Sequence, residues 1–453
     1  MARKLFGTDG VRGVAGEVLS AELALALARA ATRSTGARRP QVLIVRDTRE
    51  SGEMLEAALA AGVSAAGGDA LLGGVLPTPA APLLLGRYGF DLAAVLSASH
   101  NPYEDNGIKF FAADGYKLSD EAESAIEADV HRSQPSAAAT AAAAAATTTT
   151  APPAIGRVRA LRGASEDYLR ELHARFRELD LSGLDVLLDC ANGATYQVAP
   201  EIFRRLGARV TVIADAPDGR NINAGCGSTH VHELARAVVA GSHAIGFAFD
   251  GDGDRVLAVD RRGEVVDGDE LLALAALHMR AHARLSGEGV AVTVMTNYGF
   301  HAAMRQAGVE VATTKVGDRY VLEELRARGW TLGGEQSGHI IEMGFNRTGD
   351  GLASALLTLE ALDGRDLAER DAMSKLPQRL VNVRVRDRDA LASARELDSA
   401  IRDAEQRLTG RGRVLVRPSG TEPLVRVMVE APSEQEAHEL CEELAALVER
   451  ELA

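Results

Sequence analysis

Three aspartates alternate with glycines in Asp250-Gly251-Asp252-Gly253-Asp254-Arg255, directly after the apolar run Ala244 to Phe249. If the backbone turns, and two glycines permit that, the three carboxylates converge on one cation. An all-oxygen donor set without His or Cys selects Mg²⁺ or Ca²⁺ over zinc. A calcium-sensor loop would need Gly at the sixth position and Glu at the twelfth; Arg255 and Arg261 stand there instead. Mg²⁺ completes its shell with water or phosphate oxygen, which suits phosphoryl transfer. The competing reading is an acidic turn.

Three more clusters hold chemistry-bearing groups. Ser97-Ala98-Ser99-His100-Asn101-Pro102 follows the apolar run Leu92 to Leu96, and ligands of α/β sheets collect beyond the carboxyl ends of strands. Ser99 there is either a nucleophile or part of a polar turn. It is not a hydrolase elbow, because Ser97 and Asn101 replace the required glycines. Lys109 places a cation just downstream. Arg417-Pro418-Ser419-Gly420-Thr421-Glu422-Pro423, with Arg426 beyond, offers a guanidinium fork, hydroxyls and turn amides to a phosphate. Gly333-Gly334-Glu335-Gln336-Ser337-Gly338-His339 puts a carboxylate, an amide and a hydroxyl on a glycine-rich loop able to grip sugar hydroxyls.

The elements that must position these loops follow a repeated grammar. An apolar strand, a helix, a glycine and a second strand recur from Val42 to Gly74, from Val186 to Val210 and from Val290 to Val311. Such alternation predicts α/β layers with parallel or mixed sheets. The C-terminal part differs. Val381, Val383 and Val385 alternate with polar residues, a helix is expected near Ala390 to Leu408, strands at Arg413 to Val416 and Leu424 to Glu430, and a last helix opening on the capping pattern Ser433 to Glu436. Ser136 to Pro153 is almost entirely Ala, Thr and Pro and reads as a linker or surface insertion, the alternative being an Ala-rich helix.

Length and charge bound the function. The 453 residues fit several domains. With Lys and Arg at 50 against Asp and Glu at 64, the net charge is −14, which disfavours nucleic acid and anionic membrane surfaces as partners. No apolar run of transmembrane length occurs, and the basic N-terminus lacks a signal-peptide core. The cysteines, Cys190, Cys226 and Cys441, are odd in number and far apart, which fits a reducing, cytoplasmic compartment rather than a disulfide framework.

Together the motifs resemble the α-D-phosphohexomutase superfamily over nearly the whole chain. The resemblance rests on Phe6-Gly7-Thr8-Asp9-Gly10-Val11-Arg12-Gly13, the Ser99 loop, the aspartate loop, Glu335 to His339 and the Arg417 loop. Gln336, where the phosphomannomutase/phosphoglucomutase branch commonly has Met, and Asn223-Ala224-Gly225-Cys226-Gly227-Ser228-Thr229-His230 look like the glucosamine branch. The Ala/Thr-rich segment is the main departure.

The resemblance implies an α/β fold of four domains around a central cleft: three similar mixed-sheet domains (1–150, 154–255 and 256–368) and a smaller α+β domain (375–453). It implies that glucosamine 6-phosphate and glucosamine 1-phosphate interconvert through a phosphoserine at Ser99 and a 1,6-bisphosphate. Mg²⁺ would be held by Asp250, Asp252, Asp254 and the Ser99 phosphate, with glucosamine or glucose 1,6-bisphosphate as activator. Arg12 would touch that phosphate, and His100 and Lys109 are both candidates for proton transfer or orientation. Lys315, Gly317, Asp318, Arg319, Glu335 and Ser337 would bind the sugar, and Arg417, Ser419, Gly420, Thr421 and Arg426 the distal phosphate. His339 is expected to brace its loop, Arg255 either to orient aspartates or to touch ligand, and Arg49 to form a helix-start ion pair. Arg12, Lys109, Arg417, Arg426 and a bound Mg²⁺ would make the cleft locally positive. The partner is a small sugar phosphate; the oligomeric state stays open, with a homodimer allowed. The alternative activity is a phosphomannomutase/phosphoglucomutase of the same mechanism.

Overall fold

The computed structural model describes residues 5–7, 9–133, 154–387, 390–391, 394–419 and 423–452. The Ala/Thr-rich segment Ser136 to Pro153, Thr8, Gly420 and Thr421 therefore lie outside the described residues. The chain divides into two compact units, Met1–Val294 with Ala312–Arg370, and Met295–Val311 with Asp371–Ala453.

The first unit contains the sheets that carry the aspartate and serine loops. Strands β1 (Val11–Val14), β2 (Gln41–Arg46), β3 (Asp69–Val75), β4 (Leu92–Leu96), β5 (Asp105–Ala112) and β6 (Val158–Ala160) form one sheet in the order β1-β5-β4-β2-β3-β6. β2 lies parallel to β3 and β4, whereas β5 runs antiparallel to β4 and β1. All five residues of β4 are buried, the continuous apolar run expected of a strand covered on both faces. One cover is the helix Ala21–Ser34, which turns Ala24, Leu27, Ala28 and Ala31 inward at helical spacing and is capped by Ser20 Oγ, accepting from Leu23 N at 3.3 Å. β6 pairs in parallel with β3, so the first sheet reaches past the Ala/Thr-rich segment.

A second sheet has the order β11-β10-β9-β7-β8, built from β7 (Asp185–Asp189), β8 (Arg209–Ile213), β9 (Ile245–Phe249), β10 (Val256–Asp260) and β11 (Val265–Val266). β9 and β10 pair antiparallel from Phe249↔Val256 to Ile245↔Asp260. The aspartate loop is therefore a hairpin connection, and the strand after it stays in the second sheet beyond residue 255. A third sheet, β13-β12-β14-β15, comprises β12 (Gly289–Thr293), β13 (Glu310–Thr314), β14 (Leu332–Gly334) and β15 (Ile340–Glu342).

The second unit has an antiparallel sheet, β16-β18-β17, from β16 (Gln378–Arg384), β17 (Arg413–Pro418) and β18 (Leu424–Glu430). The helices Arg395–Arg407 and Glu434–Leu452 close its core through Leu397, Leu440, Leu444 and Val448 against Val425, Val427 and Val429. β17 runs past the expected Val416 to Pro418; a proline lacks the N–H for a central ladder but is tolerated on an edge strand. The last helix keeps one arm of its expected cap, Glu436 N donating to Ser433 Oγ at 3.2 Å. No helix among the described residues is long and apolar enough to cross a membrane.

Candidate active site

The Ser99 loop leaves β4 at its carboxyl end, where the backbone turns sharply. Ser99 adopts φ 53°, a left-handed conformation unusual for a residue with a side chain. Its N–H donates to Ser97 Oγ at 2.9 Å. Its hydroxyl donates to Asp250 Oδ2 at 2.5 Å, with His100 Nδ1 3.4 Å away. The loop after β4 thus presents its serine to the loop after β9. His100 is half-buried, and burial, helped by the Arg255 and Arg12 charges, lowers its pKa.

Asp250, Asp252 and Asp254 are all buried, and one carboxylate oxygen from each lies within 4.8 Å of the other two. Burial, then the neighbouring charges of Asp254 and Asp252, pushes the Asp250 carboxyl well above its ordinary pKa. Buried carboxylates packed this closely are relieved by a cation or by taking up a proton. Protein cations cover only part of the need. Lys109 Nζ donates to Asp252 Oδ2 at 2.9 Å and Thr78 Oγ1 to the same oxygen at 2.6 Å. Asp252 Oδ1 and Asp254 Oδ1, both buried, find no hydrogen-bond partner among the described residues. A hard divalent cation fits this donor set, and Asp250, Asp252 and Asp254 are the side chains that would hold it.

The glycines between the aspartates have separate tasks. Gly253 sits at φ 69° and makes the turn. Gly251 allows a close approach, since a Cβ there would lie 2.6 Å from Ser99 O and 2.8 Å from Asn223 Nδ2. Gly251→Ala should therefore push the two loops apart and lower turnover about a hundredfold, the order expected for a misplacement near 1 Å. Steady-state kinetics at saturating magnesium would check this; wild-type turnover would refute it.

Around the triad runs a charge network that the motifs did not disclose. Asp9 pairs with Arg12, with Lys109 at 3.0 Å and with Lys117 at 2.5 Å, and Lys117 also reaches Asp318 Oδ2 at 2.6 Å. Burial would lower the pKa of Lys109, but Asp252 and Asp9 outweigh it and raise it. Burial would likewise raise Asp9, yet Lys109, Lys117 and Arg12 hold its carboxyl well below the usual range. Arg12 and Lys109 are thus each paired with carboxylates. Asp9 and Thr78 had no role assigned from sequence, and Lys117 belongs to no motif; only Asp9, inside the Phe6 to Gly13 motif, carried a signal.

The sugar-loop candidates separate into those that meet the triad and those that face elsewhere. Glu335 Oε1 accepts from Gly317 N at 3.0 Å, tying the Glu335 loop to the Lys315 to Arg319 loop. Ser337 Oγ is buried and finds no hydrogen-bond partner among the described residues. Gln336 Nε2 donates to Asp267 Oδ2 at 3.2 Å, and Gly268 N to Gln336 O at 3.0 Å, so this side chain braces the start of the helix Gly268–Ala281. His339 Nε2 accepts from Gly349 N at 3.0 Å, which leaves its Nδ1 facing Asp254 Oδ2 at 3.5 Å. It braces its loop, as expected, and also contacts a triad carboxylate. Arg255 gives its N–H to Asp250 Oδ1 at 3.1 Å and its guanidinium lies 3.8 Å from Asp254, an orienting role. Lys315 lies over the Tyr320 ring, 6.0 Å from its centroid. Arg319 pairs with Asp120 and, at 3.3 Å, with Glu123.

In the C-terminal unit, Arg417 and Arg426 face each other as register partners on β17 and β18. Burial, with the neighbouring Arg426 charge, lowers the Arg417 pKa. Two guanidiniums held together in this way suit an anion. Ser419 is buried, with its N–H donating to Leu424 O at 2.9 Å.

Comparison with known proteins fits this geometry. The chain matches the family Phosphoglucomutase/phosphomannomutase in order: alpha/beta/alpha domain I over residues 3–137, domain II over 166–263, domain III over 267–380 and the C-terminal domain over 380–447. It is 53% identical over 451 residues to a phosphoglucosamine mutase of Desulforudis audaxviator, covering 98% of this chain and 97% of that one. It is 50% identical to that of Moorella thermoacetica, covering 96% of each. Among solved structures, a phosphoglucomutase/phosphomannomutase family protein of Burkholderia thailandensis superposes with a TM-score of 0.81 at 23% identity, over 98% of this chain and 97% of that one. An Aspergillus fumigatus N-acetylphosphoglucosamine mutase, solved with GlcNAc-6P and magnesium, has a TM-score of 0.66 at 19% identity, over 99% and 96%. Four matched domains in family order and half-identical relatives along the whole length place the chain in the phosphoglucomutase/phosphomannomutase family.

Proposed function

We propose that the protein interconverts glucosamine 6-phosphate and glucosamine 1-phosphate, with Ser99 as the phosphoryl carrier. The observation that carries the reading is the hydroxyl of Ser99, buried 2.5 Å from one of three convergent carboxylates. The substrate assignment is supported by the phosphoglucosamine mutases that share about half of its residues along nearly the whole chain.

Phosphorylated Ser99 would transfer its group to the free hydroxyl of the sugar monophosphate. The P–O bond to Ser99 Oγ breaks as a P–O bond to the sugar oxygen forms, and the proton of the sugar hydroxyl ends on Ser99 Oγ. The resulting 1,6-bisphosphate turns over and returns its other phosphate to Ser99. Lys109, held between Asp252 and Asp9, acts as a fixed cation, which leaves His100 as the nearer candidate to relay the proton. Glu335 and Ser337 would grip hydroxyls that occupy equivalent places in either sugar orientation. The Arg417 and Arg426 pair, with Ser419, Gly420 and Thr421, would hold the phosphate that is not in transfer, and Arg12 would meet the Ser99 phosphate. When bound to the triad, Mg²⁺ supplies the positive charge that offsets phosphoryl oxygens. A sugar 1,6-bisphosphate would serve as activator by charging Ser99, and the enzyme would work in the cytoplasm.

The test is turnover on a panel of hexose phosphates. Glucosamine 6-phosphate should exceed mannose and glucose phosphates in kcat/KM by at least about tenfold, the scale at which one hydrogen-bonding group discriminates. Equal or greater activity on the neutral sugars would move the protein to the phosphomannomutase/phosphoglucomutase activity.

A further inference from the structure

We infer that Arg49 and Asn223 are positioning residues that hold the Ser99 peptide in its left-handed conformation and so aim the phosphoryl-carrying hydroxyl. The inference rests on the reading of Ser99 as the carrier.

A serine at φ 53° persists only where its surroundings over-determine it. Both backbone polar groups of Ser99 are held. Ser99 N–H donates to Ser97 Oγ, and Ser97 Oγ donates at 2.6 Å to Asp47 Oδ2, which also accepts from Arg49 Nε at 2.8 Å. The chain from Arg49 through Asp47 and Ser97 then closes on itself, because Arg49 Nη2 donates to Ser99 O at 3.0 Å.

Arg49 commits its whole guanidinium to this loop. Nη2 also donates to Asn101 O at 2.9 Å, and Nη1 to Asp105 O at 2.8 Å and to Pro102 O. With Nε on Asp47, all five N–H donors are in use. The side chain is fully buried, as is that of Asp47, so this is no ordinary surface pair at a helix start. A guanidinium that is planar and always charged suits four carbonyls around one loop; a lysine has three donors and no fixed plane.

Asn223 grips the same carbonyls from the second sheet's side. Its Nδ2 donates to Ser99 O at 2.9 Å and to Asn101 O at 3.1 Å. Asn223 is itself left-handed, at φ 58°, and its N–H is fixed on Ala191 O at 2.9 Å. Since a Cβ on Gly251 would lie 2.6 Å from Ser99 O and 2.8 Å from Asn223 Nδ2, Asn223 registers the serine loop against the aspartate loop. Both residues are buried, and both act through Ser99.

The test compares Arg49→Lys, Asn223→Ala and Ser99→Ala with the wild type. Three quantities are read: kcat and KM for glucosamine 6-phosphate, the rate at which a sugar 1,6-bisphosphate phosphorylates Ser99 by intact mass, and the melting temperature. In Arg49→Lys, kcat and the Ser99 phosphorylation rate should fall together by about a hundredfold at a KM close to wild type. Asn223→Ala should lose about tenfold in both, with a near-native melting temperature; it decides the matter should Arg49→Lys fail to fold. Wild-type kcat and phosphorylation rate in the folded variants, with Ser99→Ala inactive, would overturn the inference. Retained turnover in Ser99→Ala would instead overturn the reading on which it rests.

Discussion

Ser99→Ala should lose turnover by more than about 10⁴-fold, the scale of deleting a covalent nucleophile. Two hydroxyls donate into the aspartate triad among the described residues, Ser99 to Asp250 and Thr78 to Asp252. Thr78 cannot substitute, since its hydroxyl is committed to an oxygen it shares with Lys109. The fold should survive. Ser99 makes one side-chain donation, and losing such a bond costs about 1–2 kcal/mol. Alanine meets the same left-handed strain that serine already bears, and the backbone ties through Arg49, Ser97 and Asn223 are untouched. Circular dichroism and melting temperature close to wild type, with turnover lost, is the expected pair of results. Full turnover in a folded Ser99→Ala protein would remove the phosphoserine mechanism.

The second large effect is Asp252→Asn, which should lower turnover about 10³-fold at saturating magnesium, the upper range for deleting one charge-stabilising group, and weaken magnesium binding in titration calorimetry. Asp252 is where Lys109 and Thr78 meet on one oxygen, and where the cation would bind. Its Oδ1 is buried without a hydrogen-bond partner among the described residues, while Oδ2 takes both Lys109 and Thr78. Stability should change little. Asparagine keeps an acceptor for Thr78, Lys109 keeps Asp9 at 3.0 Å, and one negative charge is removed from beside Asp250 and Asp254. Unchanged magnesium affinity together with unchanged kcat would take Asp252 out of the ligand set.

How far the sequence reaches can be judged on these same residues. The aspartate loop was legible because alternation with glycine after an apolar strand has few structural uses, and β9 delivers it as a buried hairpin. The Ser99 loop was legible as a position, beyond β4, but its left-handed backbone was not, since φ is set by Arg49 and Asn223 from distant sequence. For the same reason Arg49 read as a local ion pair with Asp47. That pair exists, yet the other four donors go to carbonyls some fifty residues away. Lys117 carried no signal, because its two carboxylates come from separate loops. Gln336 was singled out by type, and its amide meets Asp267, a helix cap, rather than standing free. Strand pairing across a composition break is equally invisible: β6 joins the first sheet although eighteen Ala-, Thr- and Pro-rich residues precede its approach.

The most direct measurement follows the phosphoryl group itself. The purified protein, charged with a sugar 1,6-bisphosphate and magnesium, is examined by intact mass and peptide mapping, then mixed with glucosamine 6-phosphate. One phosphoryl group per chain, mapped to Ser99 and lost to the sugar at a rate no slower than kcat, is the result expected. A chain that turns over glucosamine 6-phosphate without ever carrying phosphate on Ser99, or that carries it and does not pass it on, would contradict the account.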